Sequence, residues 1–288
     1  MSAFTLPSAS LLSQSILSGV FVGALYGLMG LGVSLSWGLL RLINLAHFAF
    51  AFLAAYLCYQ MATMGVDPLL TLVVIVPTFF ALGAGLHWVM ARFAVTPFNS
   101  LLLTFGLMGI VEAIIQTIWT ADFRKLESSY AQQKFKVGTL FVPIPEFITL
   151  LLAVGISVAV WAVLRYTDLG KAMRAAAEDA PIASAFGVNQ ARNALLLAGL
   201  CSALASIAGV CLALSFTLAP SQMYAWIGVV FAAVMLGGLG RALGPLIAGT
   251  VIGVSEAITM AVTAPSWAPI VSFTLLIVIL VLRPGRAS

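Results

Sequence analysis

Long apolar runs separated by short polar segments follow one another along this chain of 288 residues. A helix that crosses a membrane needs about 20 consecutive, predominantly apolar residues. Using charges, prolines and glycines as boundaries, the pattern predicts nine apolar helices, at 12–40, 44–64, 68–90, 98–119, 147–164, 193–219, 226–240, 243–262 and 267–282. The run at 226–240 is short and glycine-rich, which is also typical of a broken or re-entrant helix buried by protein. We therefore expect eight or nine crossings.

Composition places this pattern in a membrane. The chain is 62% hydrophobic and 8% charged, with a mean hydropathy of +1.14, whereas soluble domains carry about 25% charged residues. A transmembrane β-barrel would need segments of roughly ten residues that alternate in polarity, and the runs here are uninterrupted. The prediction is an all-α, polytopic transmembrane bundle that forms a single domain over residues 1–288.

The basic residues predict the orientation of that bundle. With the N-terminus outside, nine of the 13 basic residues fall on the inner side: Arg41, Arg92, Arg165, Lys171, Arg174, Arg192, Arg241, Arg283 and Arg286. The other four lie in one loop, 121–146. Because basic residues favour the cytoplasmic side, we expect the N-terminus outside, the C-terminus inside and the polar loop 165–192 in the cytoplasm. The net charge of +4 is explained in this way, and no nucleic-acid partner is expected.

The loop 165–192 interrupts the apolar pattern most clearly. Its alanine-rich part, 169–178, predicts a helix, and Pro181 prevents that helix from continuing. A second short helix is predicted at 181–186, with proline at its start and Gly187 at its end. On the residues alone, this helix–kink–helix is equally typical of an amphipathic interfacial helix and of a surface that docks onto a soluble partner.

Ionisable residues inside predicted spans are the other candidates for function, because such groups are costly in lipid. Glu112 and Glu256 lie within spans, and His47 and His87 are less certain members of the same class. The two carboxyls could relay protons, or they could be structural groups that are hydrogen-bonded to neighbouring helices. The sequence contains no cluster of nucleophile, base or metal-ligand residues, so neither a catalytic nor a metal site is predicted.

Glycines at four-residue spacing predict where helices approach closely. Gly19, Gly23 and Gly27 form one stripe on the first span, and the pairs Gly240–Gly244 and Gly249–Gly253 repeat the spacing near the end. Small residues at this spacing let the backbones of two membrane helices come together. Tight packing is one interpretation of this stripe, and a moving or pore-lining interface is another.

Three segments resemble one family. The order D-L-G-K-A-x-R-A-x-A-E-D followed by A-S-x-x-G-V-N, at 168–189, closely resembles the cytoplasmic loop of permease subunits of bacterial ABC importers for branched-chain amino acids (the H-type permease). Asn44, Ala46 and His47 match the N-x-A-H-G motif of that family, although Phe48 stands where the family has glycine. The glycine-rich segment 237–257, which contains Glu256, resembles the family's late span.

The resemblance implies roles for individual residues. By its match to the loop, it implies that Gly170, Lys171, Arg174, Glu178, Asp179 and Gly187 couple the chain to an ATPase. Five residues are candidates for the translocation pathway or its gate: Asn44, His47, Phe48, Glu112 and Glu256. Glu112 is among them as an ionisable residue within a span, not by its match to the family.

The resemblance also implies partners and a location. The chain has no G-x-x-x-x-G-K-[ST] phosphate-binding loop, so ATP would act on two separate cytosolic ATPase subunits, and the chain itself is expected to need no cofactor and not to be an enzyme. A second homologous permease subunit and a periplasmic solute-binding protein would complete an alternating-access importer in the bacterial inner membrane. The implied substrates are branched-chain amino acids or related small polar solutes. The rival hypothesis is a self-contained secondary transporter or channel that uses Glu112 and Glu256.

Overall fold

The computed structural model describes residues 8–93, 96–127, 130, 133–263 and 267–282. Within these residues the elements follow in the order α1 (Ala9–Leu40), α2 (Ala46–Thr63), α3 (Leu72–Phe93), α4 (Pro97–Trp119), β1 (Lys134–Val137), β2 (Leu140–Pro143), α5 (Ile144–Tyr166), α6 (Asp168–Glu178), α7 (Ala180–Ala185), α8 (Gln190–Ser215), a 3₁₀ turn (Pro220–Gln222), α9 (Met223–Gly237), α10 (Gly244–Val262) and α11 (Ala268–Leu282).

Each of the nine predicted spans coincides with one of these helices. In the described part of the chain, seven helical segments are long and apolar enough to cross a membrane, and one of them is the 3₁₀ turn together with α9 at Pro220–Gly237. The other two, α2 and α11, have 18 and 15 residues. The predicted short span becomes α9, which the 3₁₀ turn at Pro220–Gln222 precedes. The chain is therefore a multi-pass helical membrane protein, as its hydrophobic pattern predicts.

Helix α1 forms the centre of the bundle together with α2 and α8. These helices are largely buried, whereas α3, α4 and α5 are mostly exposed. The buried positions of α4, such as Thr104, Met108, Val111 and Ile115, recur at helical spacing and form one stripe. The peripheral helices are thus apolar on both their inner and outer faces, which is expected where the outer face meets lipid tails.

The predicted glycine stripe packs α1 directly onto α10. A Cβ atom added to Gly23 would lie 2.5 Å from the carbonyl oxygen of Gly249. Similarly, a Cβ at Gly19 would lie 2.7 Å from the carbonyl oxygen of Gly253, and one at Gly27 would lie 2.5 Å from the Cα of Leu246. The two backbones touch along three helical turns, which confirms the prediction of a close helix–helix contact.

Helix α2 starts inside the bundle rather than at its end. Arg41 takes a left-handed conformation that ends α1, and the non-helical residues that follow run back along α1. There the hydroxyl of Ser36 donates to the carbonyl oxygen of Leu42 at 3.1 Å. Further on, His47 lies beside Met29, in the middle of α1. Non-helical backbone at this depth is tolerated because the surrounding helices bury it.

The end of the bundle that holds the N-terminus of α1 carries a β-hairpin. Strands β1 and β2 pair antiparallel around a two-residue turn, in which Gly138 has a φ of +63°, as tight hairpin turns require. Gln14 of α1 exchanges two 2.9 Å hydrogen bonds with the backbone of Phe141. The hairpin lies in the region predicted as a loop, 121–146, although the alternation in Lys134–Val137 was a usable signal for a strand.

The two ends of the bundle differ in charge as the orientation predicts. Arg165, Arg174 and Arg241 line one groove at the end where α5 meets α6, and Arg41 reaches the same end. The hairpin and Arg124, which donates to the carbonyl oxygen of Trp119, lie at the opposite end. This separation fits an N-terminus outside and a cytoplasmic α6–α7 segment. Arg283 and Arg286 fall outside the described residues.

Candidate functional site

The polar segment forms two short helices mounted on the cytoplasmic end of the bundle. Thr167 creates the corner between α5 and α6: its hydroxyl donates to the carbonyl oxygen of Val163 at 2.6 Å and accepts the N–H of Gly170 at 3.1 Å. Gly170 packs against the last turn of α5, since a Cβ there would lie 2.4 Å from the Cα of Leu164. A larger residue at 170 would lift α6 away from α5.

Helix α6 is also held by α1 and α8. Met173 is buried in a cluster with Leu164 and Leu197. From the end of α1, Arg41 donates from Nη2 to the carbonyl oxygen of Ala177 at 2.8 Å. This bond satisfies one of the free carbonyl groups at the end of α6. Three membrane helices, α1, α5 and α8, thus contact α6.

Helix α7 follows after a sharp kink. The carboxylate of Asp179 accepts the N–H of Ile182 at 3.0 Å and caps the helix, and Gly187, with a φ of +86°, ends the turn that follows it. Gln190 donates to the carbonyl oxygen of Ala180 and, at 2.6 Å, to the hydroxyl of Ser184. The predicted helix–kink–helix is confirmed, with boundaries that differ by one residue.

The outer surface of α6 and α7 mixes charge with exposed apolar side chains. Lys171 pairs with Asp168 at 3.0 Å, and both side chains are exposed. Glu178 and Asp179 are exposed at the kink. Ile182 and Phe186, which are not among the predicted coupling residues, are 56% and 85% exposed. We call Glu178, Asp179, Ile182 and Phe186 the α6–α7 surface.

The residues of the N-x-A-H motif lie where α2 begins. His47 is buried, and its Nε2 is 3.0 Å from the carbonyl oxygen of Met29. Its ring occupies the space that Gly32 leaves open, because a Cβ there would be 2.4 Å from the ring. Asn44 lines a small cavity with His87, and its buried Oδ1 has no hydrogen-bond partner among the described residues.

Phe48, the departure from the family motif, is packed in the core. Its side chain is fully buried, and its ring stacks on that of Phe231 in α9 with centroids 6.2 Å apart. The ring of Trp37 in α1 also contacts the ring of Phe231. A bulky side chain at position 48 could line the pathway or fill a gap in the packing. The burial and ring contacts of Phe48 favour the second role.

Glu112 belongs to a polar cluster on the face of α4 that meets the start of α9. It accepts a hydrogen bond of 2.7 Å from the hydroxyl of Tyr224 and one of 3.1 Å from the amide of Gln116. Glu112 is half-buried, while Tyr224 and Gln116 are exposed. Polar groups at membrane depth almost always face protein or water rather than lipid. This face of α4 is therefore poorly suited to lipid contact.

Glu256 has a different environment, in which it connects three helices. It is buried in α10 and accepts a 3.0 Å hydrogen bond from the hydroxyl of Tyr26 in α1, and another from Ser272 in α11. Both carboxylate oxygens thus have a donor. The geometry fits the structural interpretation of this residue.

Replacing Glu256 by leucine is expected to destabilise the bundle far more than replacing it by glutamine. Leucine leaves the hydroxyl of Tyr26 without an acceptor, and an unsatisfied buried group costs about 1–3 kcal/mol. Glutamine keeps an acceptor oxygen at nearly the same place. Thermal unfolding of the purified variants in detergent checks this expectation. Equal destabilisation by both variants would show that the negative charge, rather than the hydrogen bonds, matters.

Comparison with known proteins identifies the family. The chain matches the family model of the branched-chain amino acid transport system permease component over residues 15–280, and it belongs to that family. The high-affinity branched-chain amino acid transport system permease protein LivH of Salmonella typhimurium is 27% identical over 295 residues, which cover 94% of this chain and 93% of LivH. BraD of Pseudomonas aeruginosa is 26% identical, with 94% of each chain covered.

A third relative covers less of the chain, and one solved structure has a similar fold. The probable branched-chain amino acid transport permease protein LivH of Methanocaldococcus jannaschii is 28% identical over 264 residues, covering 85% of this chain and 80% of the relative. The fold is similar to that of a chain in the complex of PsaBC from Streptococcus pneumoniae with Fab, with a TM-score of 0.53 and 12% identity over 96% of this chain and 93% of that chain. The chain is thus a transport permease of the inner membrane and one component of a larger transport system.

Proposed function

We propose that this chain is the membrane-spanning permease subunit of an ATP-driven importer for branched-chain amino acids or related small polar solutes. The observation that carries the proposal is the family match over residues 15–280. Relatives that align over nearly their full length are named for the transport of these amino acids.

We further propose that two cytosolic ATPase subunits drive transport and bind the α6–α7 surface. Exposed apolar side chains beside exposed carboxylates, as at Phe186 and Asp179, suit a groove on a soluble protein. Because α6 is held by α1, α5 and α8, a push on this surface would tilt those helices together. Lys171 and Arg174 belong to α6 and would move with it, while Gly170 holds the start of α6 against α5 and Gly187 ends the turn that follows α7.

A second permease subunit is proposed to cover the exposed face of α4. The support is the cluster of Glu112, Gln116 and Tyr224, which needs a polar or protein environment at membrane depth. A pathway for a polar solute between two permease subunits would provide that environment. Asn44 and His47, at the buried start of α2, are proposed as part of the gate, because irregular backbone at membrane depth is typical of transport sites.

The test is reconstitution of the chain with its co-purifying subunits in proteoliposomes. Affinity purification of the tagged chain from native membranes should recover an ATPase pair, a second permease and, when ligand is added, a periplasmic binding protein. These vesicles should take up radiolabelled leucine only when ATP and the binding protein are both present. The chain alone should show no uptake under a proton gradient. Uptake by the chain alone would overturn the proposal in favour of a secondary transporter that uses Glu112 and Glu256.

A further inference from the structure

A groove of about 870 Å³ opens at the cytoplasmic end of the bundle, between α5 and the start of α10. The last turn of α5 forms one wall with Trp161 and Arg165. The turn between α9 and α10 and the first two turns of α10 form the other wall, with Arg241, Ile247 and Val251. We call this the α5–α10 groove.

Three arginines line the groove: Arg165, Arg174 and Arg241. In the part of the chain that the structure describes, the single ion pair joins Lys171 to Asp168, so none of the three arginines is neutralised by a carboxylate there. Arg165 stacks over the ring of Trp161, 5.4 Å from its centroid. Three positive charges along one groove, without a carboxylate paired to them, favour the binding of an anion.

The chemistry of these groups favours a phosphate. A guanidinium is planar and donates two parallel hydrogen bonds to phosphate oxygens. Three of them along one groove can contact several oxygens of the same group. A carboxylate ligand could also bind, but it offers fewer oxygens to share among three arginines.

The depth of the groove indicates that the ligand is not a soluble anion. Below the arginines the walls are apolar, and Ile247 and Val251 are 65% and 48% exposed. From Gly244 to Val251, α10 rises about 10 Å into the membrane. An inorganic phosphate beside the arginines would leave this apolar wall uncovered, whereas an acyl chain attached to the phosphate would cover it. Arg165 lies over the rings of both Trp161 and Tyr166, and tryptophan and tyrosine are enriched at membrane interfaces.

We propose that the α5–α10 groove binds an anionic phospholipid of the cytoplasmic leaflet, with its phosphate held by Arg165, Arg174 and Arg241 and an acyl chain along Ile247 and Val251. Basic pockets between transmembrane helices on the cytoplasmic side are suited to such headgroups. Because Arg174 belongs to α6 and Arg241 precedes α10, the bound lipid ties the α6–α7 segment to the bundle. That consequence rests on the function proposed above, but the binding itself does not.

The test measures lipid binding to the full-length chain, purified with its accompanying subunits. Native mass spectrometry counts bound phosphatidylglycerol and phosphatidylcholine after titration with each lipid. We expect a preference for phosphatidylglycerol in the wild-type protein. The triple variant Arg165→Gln, Arg174→Gln, Arg241→Gln should reduce this preference by about tenfold or more, since each basic residue near an anionic surface contributes about fivefold. The same lipid preference is measured for Arg165→Gln, Arg174→Gln and Arg241→Gln as single variants, which are less prone to misfold than the triple variant.

Arg92→Gln is the matched control. Arg92 also lies over a tryptophan ring, 5.8 Å from the centroid of Trp88, but it does not line the groove. This variant should retain the wild-type preference.

A competition experiment distinguishes a lipid phosphate from free inorganic phosphate: an excess of inorganic phosphate should not displace the lipid. Equal binding of both lipids, an equal loss in Arg92→Gln, or full displacement by inorganic phosphate would each overturn the proposal. These readouts need no transport, so they are independent of the proposed function.

Discussion

Replacing Gly23 by leucine is expected to prevent the bundle from assembling. A side chain at this position would meet the backbone of α10, with the Cβ 2.5 Å from both the carbonyl oxygen of Gly249 and the Cα of Thr250. Overpacking against movable side chains costs about 1–3 kcal/mol, and a helix backbone cannot turn away as a side chain can. We expect a loss of about 5 kcal/mol or more, which is comparable to the whole stability of many proteins. Size-exclusion chromatography of the detergent-solubilised chain should show little or no monodisperse protein.

Gly85→Leu in α3 is the matched control for this prediction. The substitution is the same, it lies in another transmembrane helix, and nothing lies within 4 Å of a Cβ at Gly85. This variant should give a yield and an elution profile close to those of the wild-type protein. If Gly23→Leu behaved like Gly85→Leu, the direct contact of α1 with α10 would be wrong.

The spans and the helix contact at the glycine stripe were predictable because each depends on a local pattern. An apolar run of membrane length allows few structures, and glycines every fourth residue necessarily share one face of a helix. The kink at Pro181 was predictable for the same reason, since proline acts on its immediate neighbours.

The features that the sequence analysis missed depend on tertiary contacts. Glu112 and Tyr224 are 112 positions apart in the chain, and no local pattern pairs them. The buried start of α2 follows from the way residues 41–45 turn back along α1, which apolar composition does not reveal. Helices that are apolar on every side also do not show which face is covered. The exposure of Phe186 could be seen only once α7 was placed.

Replacing Phe186 by serine is expected to weaken the binding of the ATPase subunits strongly and to leave the permease folded. Phe186 is 85% exposed, so it contributes little to the stability of the bundle. If the α6–α7 surface docks onto an ATPase, this ring would be buried in the complex, and exposed aromatic anchors of this kind are worth about 2 kcal/mol or more. A loss of that size lowers the affinity by about thirtyfold. Pull-down of the ATPase subunits by the tagged chain and uptake into proteoliposomes measure the effect.

Phe123→Ser is the matched control for this prediction. Phe123 is 74% exposed, but it lies beside Arg124 at the opposite, outer end of the bundle. The variant should recover the ATPase subunits as well as the wild-type chain does. If Phe186→Ser also recovered the ATPase subunits as well as the wild-type chain does, Phe186 would not belong to the interface. Glu178 and Asp179 at the kink would then be the next residues to replace. Loss of recovery in both variants would instead indicate a defect in folding. Selective loss in Phe186→Ser would establish that an exposed apolar side chain on a polar loop connects this membrane bundle to its energy source.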